Sequence, residues 1–408
     1  MRSYILLFIY GALPLWLFSQ TPGSAREITC RVADGIIKNT SFLFKDTQTG
    51  ASYSSLNTVS IDNPLQAESP YNKWEYWNGV MLNGMLQLNE SIQQKKYSDY
   101  VFKWVDFVFS NVSFFKQRYD QGKKTEWLYF FRMSKLDDCG ALASALVNVN
   151  SIVNKSDYGA YLQKTGNYIL KKQYRFPDST LCRKEPREMT LWADDLYMSV
   201  PFLARMGRTT GNKIYFEDAI RQVLNFNHYL YDNASGLYFH CYYNDVNNNG
   251  VAHWARCNGW LALAQVELLN NLPVNHPFRE KLIGLLLRQI IGFSRYQDTS
   301  GLWRQLLDKE DSYLETSATA MFVYAVARAV NQKWIAPSYL QIAIDGWKGL
   351  CSKITEDGQL QDVCIGTGIQ DNIRFYYNRP KKLNDLHGLG PFLLAGSEMI
   401  KVEEQHKQ

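Results

Sequence analysis

Apolar residues recur every three or four positions along nearly the whole chain, the spacing that lines them up on one face of an α-helix. The pattern predicts twelve helices, at 32–44, 73–89, 98–109, 140–153, 159–171, 191–206, 213–230, 258–269, 279–297, 315–329, 337–353 and 385–400. Between helices one short phrase returns: Asp232-Asn-Ala-Ser-Gly236-Leu237-Tyr238, Asp298-Thr-Ser-Gly301-Leu302-Trp303 and Glu356-Asp357-Gly358-Gln359-Leu360. Gly301 follows Gly236 by 65 residues and Gly358 follows Gly301 by 57, each about one helical hairpin with its connection. Units of that kind cannot bury their own apolar faces and must stack on neighbours. Six hairpins can close on themselves, so the expected fold is all-α, an (α/α)6 toroid; an open α-solenoid would require polar capping repeats and more uniform units. Short strand-like stretches such as 238–243 would form small hairpins at one rim. A closed ring of this kind places its binding funnel on the axis, at the ends of the inner helices.

Arg2 followed by the apolar run from Tyr4 to Phe18 and then Ser19, Gln20 and Ala25 has the layout of a secretory leader. The expectation is a leader over residues 1–20, cleavage at about 20–25, and one domain over 26–408 in a periplasmic or secreted protein without a membrane anchor once the leader is removed. Seven cysteines without a Cys-x-x-Cys pair leave room for one or two disulfides and none for a zinc site of the usual spacing.

Composition narrows the function classes. With 44 basic and 39 acidic residues among 408, the net charge is +5 and no basic run is dense enough for a nucleic-acid partner. Aromatic residues reach 14%, with 11 Trp and 26 Tyr, flat amphipathic faces that suit sugars as well as helix packing. Phosphate-binding, dinucleotide-binding, nucleophile-elbow and His-Glu-x-x-His motifs are all missing from the sequence, and no cofactor is expected. Asp245-Val-Asn-Asn-Asn-Gly250 begins like a calcium loop, but Arg256 stands where the bidentate Glu belongs, so no metal site is expected there.

Four stretches set charged groups among aromatic and small residues. Asp137 and Asp138 precede the Ala-rich run that starts at Gly140, where Asp also serves as a helix cap. Asp194 and Asp195 interrupt the apolar stretch Leu191-Trp192-Ala-Asp-Asp-Leu-Tyr-Met198. A carboxylate in such a setting is costly unless paired or used, and adjacent helical positions point about 100° apart, so one of the two is expected to be functional and the other structural. His240 lies in Tyr238-Phe-His-Cys-Tyr242, a place for a rim residue or for a satisfied structural histidine. His253-Trp254-Ala-Arg256-Cys-Asn-Gly-Trp260 joins an Arg fork to two indoles that could stack on sugar rings or simply pack.

Taken together, these stretches resemble the unsaturated rhamnogalacturonyl hydrolases of glycoside hydrolase family 105, related to the unsaturated glucuronyl hydrolases of family 88. The resemblance runs from Tyr71-Asn-Lys-Trp-Glu-Tyr76-Trp-Asn-Gly to His387-Gly-Leu-Gly-Pro and includes Trp192-Ala-Asp194-Asp-Leu-Tyr-Met, Trp254-Ala-Arg256-Cys-Asn-Gly-Trp260 and Glu315-Thr-Ser-Ala-Thr-Ala320. It implies the (α/α)6 fold and removal of a terminal 4,5-unsaturated uronic acid, galacturonyl or glucuronyl, from lyase-generated oligosaccharides by hydration of the vinyl ether. By position, Asp194 is similar to the acid/base and Asp137 to the second acidic residue, with Tyr76, Trp192, His240, Trp254, Arg256 and Trp260 at substrate-contacting positions. Cycling one proton through Asp194 implies a carboxyl pKa raised from ~3.9 towards neutrality by an apolar setting. Cys257, where members often carry Gly, is expected to reshape the leaving-sugar side. The partner would be the unsaturated oligosaccharide as substrate, and a monomer is the default expectation. Two other readings remain: a conventional inverting glycosidase using Asp137 and Asp194, and a carbohydrate-binding protein without catalysis.

Overall fold

The computed structural model describes residues 23–405, so the expected leader lies outside the described residues. Its helices are α1 (Ala25–Lys38), α2 (Tyr76–Ile92), α3 (Lys96–Asp120), a short α4 (Leu128–Arg132), α5 (Gly140–Val153), α6 (Ser156–Lys171), α7 (Val200–Thr210), α8 (Lys213–Leu230), α9 (Ala255–Asn271), α10 (Arg279–Ser294), α11 (Thr316–Asn331), α12 (Leu340–Cys351), a short α13 (Ile373–Tyr377) and α14 (Leu386–Gln405). The inner helices α2, α5, α7, α9, α11 and α14 each pack on the next, and α14 returns to α2, which closes the ring of the (α/α)6 toroid. The outer helix of the last pair is α1, so the two ends of the described chain meet on one hairpin. Inner helices are buried around most of their circumference, as α9 is from Ala255 through Leu269, whereas outer helices such as α8 alternate buried and exposed faces.

The repeated glycine phrase has a structural cause. Gly236, Gly301 and Gly358 all adopt positive φ, at 77°, 83° and 81°, and each turn leans on the outer helix of the next hairpin. At Gly301 a Cβ would lie 2.0 Å from the Asp345 carbonyl oxygen of α12, so only glycine lets turn and helix meet. The turn is therefore the joint that repeats the unit around the ring.

All six inner helices begin at the same end. Tyr76 of α2 meets His387 of α14 there, and Gly140 of α5 presses against the Met198 carbonyl just before α7. The opposite end gathers their C-terminal halves, where Arg205 of α7 donates to Glu267 of α9 at 2.6 Å and Arg328 of α11 to Glu398 of α14 at 3.0 Å. Helix N-termini favour anions and C-termini favour cations, and the chain follows that rule: Glu75, Asp138, Asp195, Glu315 and Asp385 lie at or just before the starts of α2, α5, α7, α11 and α14.

The expected helix at 98–109 continues to Asp120 in α3, and two others differ in kind. The first runs 25–38 rather than 32–44, because Phe44–Asp46 is taken into a small antiparallel sheet with Ser52–Tyr53 and Leu65–Ala67. The stretch 191–206 divides: Thr190–Trp192 is a strand paired with Cys241–Tyr243, Ala193–Leu196 is a single 3-10 turn, and α7 starts only at Val200. Leu191, Leu196 and Met198 imitate helical spacing, but the cross-strand register with Tyr242 prevails over it. All seven cysteines are free, so the room the sequence leaves for one or two disulfides is not used.

Candidate active site

The strand–turn at 190–196 carries the centre of the site. Pairing of Trp192 with Cys241 brings the 3-10 turn against the following residue pair, and Ala193 N donates to the His240 carbonyl at 2.9 Å. His240 Nε2 then lies 3.0 Å from Asp194 Oδ2, and its Nδ1 lies 2.9 Å from the Tyr376 hydroxyl. The Gln370 backbone N–H donates to that same hydroxyl at 3.4 Å, so the phenol proton is directed to His240 Nδ1 and the Nε2 proton to Asp194. Among the described residues Asp194 Oδ1 accepts no hydrogen bond, and the side chain keeps 15% of its surface exposed. Asp194 therefore presents one tethered oxygen and one open oxygen to solvent.

Its neighbour has the opposite environment. Asp195 is fully buried and accepts from Arg183 Nε at 2.9 Å and Nη2 at 2.6 Å. Burial lifts its carboxyl to about 6 against the pull of the guanidinium, which leaves the pair ionised at neutral pH. Arg183 also reaches Asp137 Oδ1 at 3.0 Å and lies over the Trp192 ring, 4.1 Å from its centroid. Asp137 Oδ2 faces Lys135 Nζ at 3.5 Å, so a cation stands at each of its oxygens. Asp138 is structural: buried, it accepts from the backbone N–H of Ser134 at 2.7 Å and from Arg132 at 3.0 Å.

The expected rise of the Asp194 pKa is not found. Burial pushes the carboxyl up, but the His240 hydrogen bond, with the Arg183 and Arg256 charges nearby, outweighs it and holds the group below the usual carboxylate range. The aromatic surroundings were expected to dominate; the three cationic or N–H-bearing neighbours do instead.

Tyr76 stands at the start of α2, its hydroxyl 2.6 Å from His387 Nε2, while His387 Nδ1 is bonded to Asp385 Oδ1. Burial and the neighbouring Arg256 charge lower the His387 pKa to about 4. The ring is thus neutral with its proton on Nδ1, and the Tyr76 hydroxyl donates to Nε2, which leaves the phenol oxygen as an acceptor towards the site. Asp194 and Asp137 are close enough to act on Tyr76 electrostatically.

The other expected contacts are placed deeper. Arg256 is buried and its guanidinium is engaged by the Cys364 carbonyl and, at 2.7 Å, by the Ile365 carbonyl, so its role is to hold the 364–370 segment over the site rather than to offer a free fork. Trp254 and Trp260 are each 1% exposed, one packed between His240 and Arg256 and the other on Tyr197, and neither indole face is open to a sugar. Trp192 is the indole at the surface of the site, and its buried N–H has no acceptor among the described residues. The Cys257 thiol is buried and points to the Trp254 carbonyl at 3.0 Å, away from the opening. Arg183, Tyr376, Asp385 and His387 are the site residues that sequence reasoning missed.

Comparison with known proteins gives the family and the fold. The chain is 27% identical over 340 residues, 81% of this chain and 91% of the relative, to the unsaturated rhamnogalacturonyl hydrolase YesR of Bacillus subtilis. A solved structure from Klebsiella pneumoniae, described as a possible member of family GH105, superposes with a TM-score of 0.77 at 23% identity over 98% of this chain and all of that one. The unsaturated glucuronyl hydrolase of Bacillus sp. GL1 gives a TM-score of 0.63 at 15% identity over 94% of this chain and 97% of that one. With the model of Glycosyl Hydrolase Family 88 matching residues 55–403, the chain belongs to that family and is a glycoside hydrolase.

Proposed function

We propose that the protein removes a terminal 4,5-unsaturated uronic acid from lyase-generated oligosaccharides by hydrating the C4=C5 vinyl ether. The observation that carries this reading is the asymmetry of the adjacent acids: Asp195 is consumed by Arg183, while Asp194 keeps one open oxygen and partial exposure. A single mobile proton on one carboxyl group is what hydration asks for; ordinary inverting or retaining hydrolysis uses two carboxyl groups in complementary roles. The names of the relatives, unsaturated rhamnogalacturonyl and unsaturated glucuronyl hydrolases, support the same substrate class.

The steps follow from the groups present. The substrate's own carboxylate adds a negative charge beside Asp194 and raises its pKa, so that Asp194 is protonated in the complex. Its proton passes to C4 while the π electrons leave positive charge on C5, stabilised by the ring oxygen. Water adds to C5 and returns a proton to the Asp194 carboxylate, with His240 Nε2 fixing the other oxygen. The hemiketal so formed opens and releases the neighbouring sugar. Asp137, clamped between Arg183 and Lys135, is positioned to accept sugar hydroxyl protons, and so is the acceptor oxygen of Tyr76.

The test is incubation with lyase digests of pectin, ulvan and glycosaminoglycans. The expected result is loss of the ultraviolet absorbance of the conjugated uronide and incorporation of solvent oxygen at C5. Turnover of saturated oligosaccharides with the absorbance of unsaturated ones unchanged would overturn the proposal.

A further inference from the structure

A cavity of about 320 Å³, within the range of small-molecule sites, opens beside the Asp137 edge of the site and shares Arg183 and Lys135 with it. Lys172 and Lys184 complete its cationic lining, Tyr174 offers an exposed ring, and Glu185 is its one acidic residue. Arg183 and Lys135 are held by Asp137, but Lys172 and Lys184 form no ion pair among the described residues; Lys184 Nζ stands 5.7 Å from the Tyr174 ring centre. Two spare ammonium groups beside a ring that is 41% exposed make a surface for an anionic sugar: the ring supports the pyranose face and the ammonium groups meet its charge.

We propose that this pocket is a subsite for an anionic sugar, bearing a carboxylate or a sulfate ester, located beyond the bond that is broken. The inference rests on the function proposed above, since it places the pocket on the released part of the same oligosaccharide. It narrows the substrate class to chains whose anionic groups recur past the terminal unsaturated residue. Because both lysines are solvent-exposed, their contribution is a modest, salt-screened attraction that acts on binding.

The test uses unsaturated oligosaccharides with the same terminal residue and three kinds of extension: neutral, uronate-bearing and sulfated. The readout is the ratio of kcat/KM on each anionic extension to that on the neutral one, with loss of absorbance as the assay. The wild-type protein is expected to prefer at least one anionic extension, and which one identifies the anion. The double variant Lys172→Gln with Lys184→Gln is expected to lower that ratio roughly fivefold, and raised salt to lower it in the wild type alone. A wild-type ratio near one, or a ratio that the double variant leaves unchanged, overturns the subsite. If no unsaturated substrate is turned over, the proposed reaction fails on its own. Calorimetric binding of the saturated anionic oligosaccharides to wild type and double variant then decides the subsite, equal affinities counting against it.

Discussion

At the C-terminal end of the inner helices, Glu398 is entirely buried and its oxygens accept from Gln87, Arg328, Lys401 and Asn331, while Glu267, 7% exposed, takes Arg205 and the Tyr324 hydroxyl. At the N-terminal end, Asp194 accepts from His240 alone and stays 15% exposed. Both ends bury carboxylates in the same ring, and helix dipoles favour anions only at the second. The acids at the far end depend on saturation with partners to stay buried. Those at the site end lie before helix N-termini, and Asp194 among them is favoured as an anion by His240, Arg183 and Arg256, which lets it remain incompletely bonded. Spare acceptor capacity, rather than buried charge as such, separates the reactive end from the structural one.

Exchanging the two roles is the most direct way to break this contrast. Asp194→Asn is expected to lower kcat about a thousandfold with only a small loss of Tm, since one side-chain bond and the nearby guanidinium charges are all that hold that carboxylate. Glu267→Gln should do the reverse. It leaves the buried Arg205 without its counter-charge and is expected to cost about 3–5 kcal/mol of stability, with kcat per folded molecule unchanged. Thermal denaturation beside steady-state kinetics on both variants decides the matter. A large Tm loss in the first variant or a large kcat loss in the second would sink the contrast.

Tyr376→Phe sharpens it with a smaller effect. Without the hydroxyl, His240 Nδ1 is no longer obliged to accept, and the Nε2 proton that stabilises ionised Asp194 is no longer enforced. Asp194 then moves up, towards the value that burial alone would set. The expected outcome is a kcat about tenfold lower and a shift to higher pH of the kcat/KM limb that Asp194 sets. A lower rate with an unmoved pH profile would leave Tyr376 a packing residue only.

The ring itself was legible in the sequence because its unit repeats: amphipathic helices and a glycine turn recur, and each turn must meet the next outer helix through a Cβ-free position such as Gly301. Asp137, Asp194 and His240 were legible as polar groups among apolar ones. Arg183 was not, because Arg183-Lys-Glu-Pro-Arg-Glu188 has the composition of a solvated loop, and only the fold turns its first residue inward. Tyr376 and His387 come from the C-terminal hairpin, and no local pattern links them to residues 194 and 76. One signal was available: Glu75, Asp138, Asp195, Glu315 and Asp385 mark the start of five inner helices, and reading them together would have assigned the site end before any coordinates. A continuous helix expected across 191–206 hid one of these marks, Asp195, in a stretch that is strand and 3-10 turn before α7 begins.

Glu75 gives the mildest test, because it stands at the N-cap of α2 and makes no side-chain bond to cap that helix. Burial raises its pKa to about 7, with Lys73 opposing, despite the favourable helix start. An unfolded Glu titrates near ~4.3. Between those values the folded protein holds more of this proton than the unfolded chain does, so the contribution of Glu75 to stability falls as pH rises through that window and is constant above it. Glu75→Gln removes the titration. Its Tm is expected to match that of the wild type in acid and to exceed it by a few degrees above pH 7, measured by thermal scans across the range. Parallel curves for the two proteins would mean that Glu75 stays ionised in the fold, and that the helix starts at this end stabilise negative charge more strongly than the burial of Glu75 opposes it.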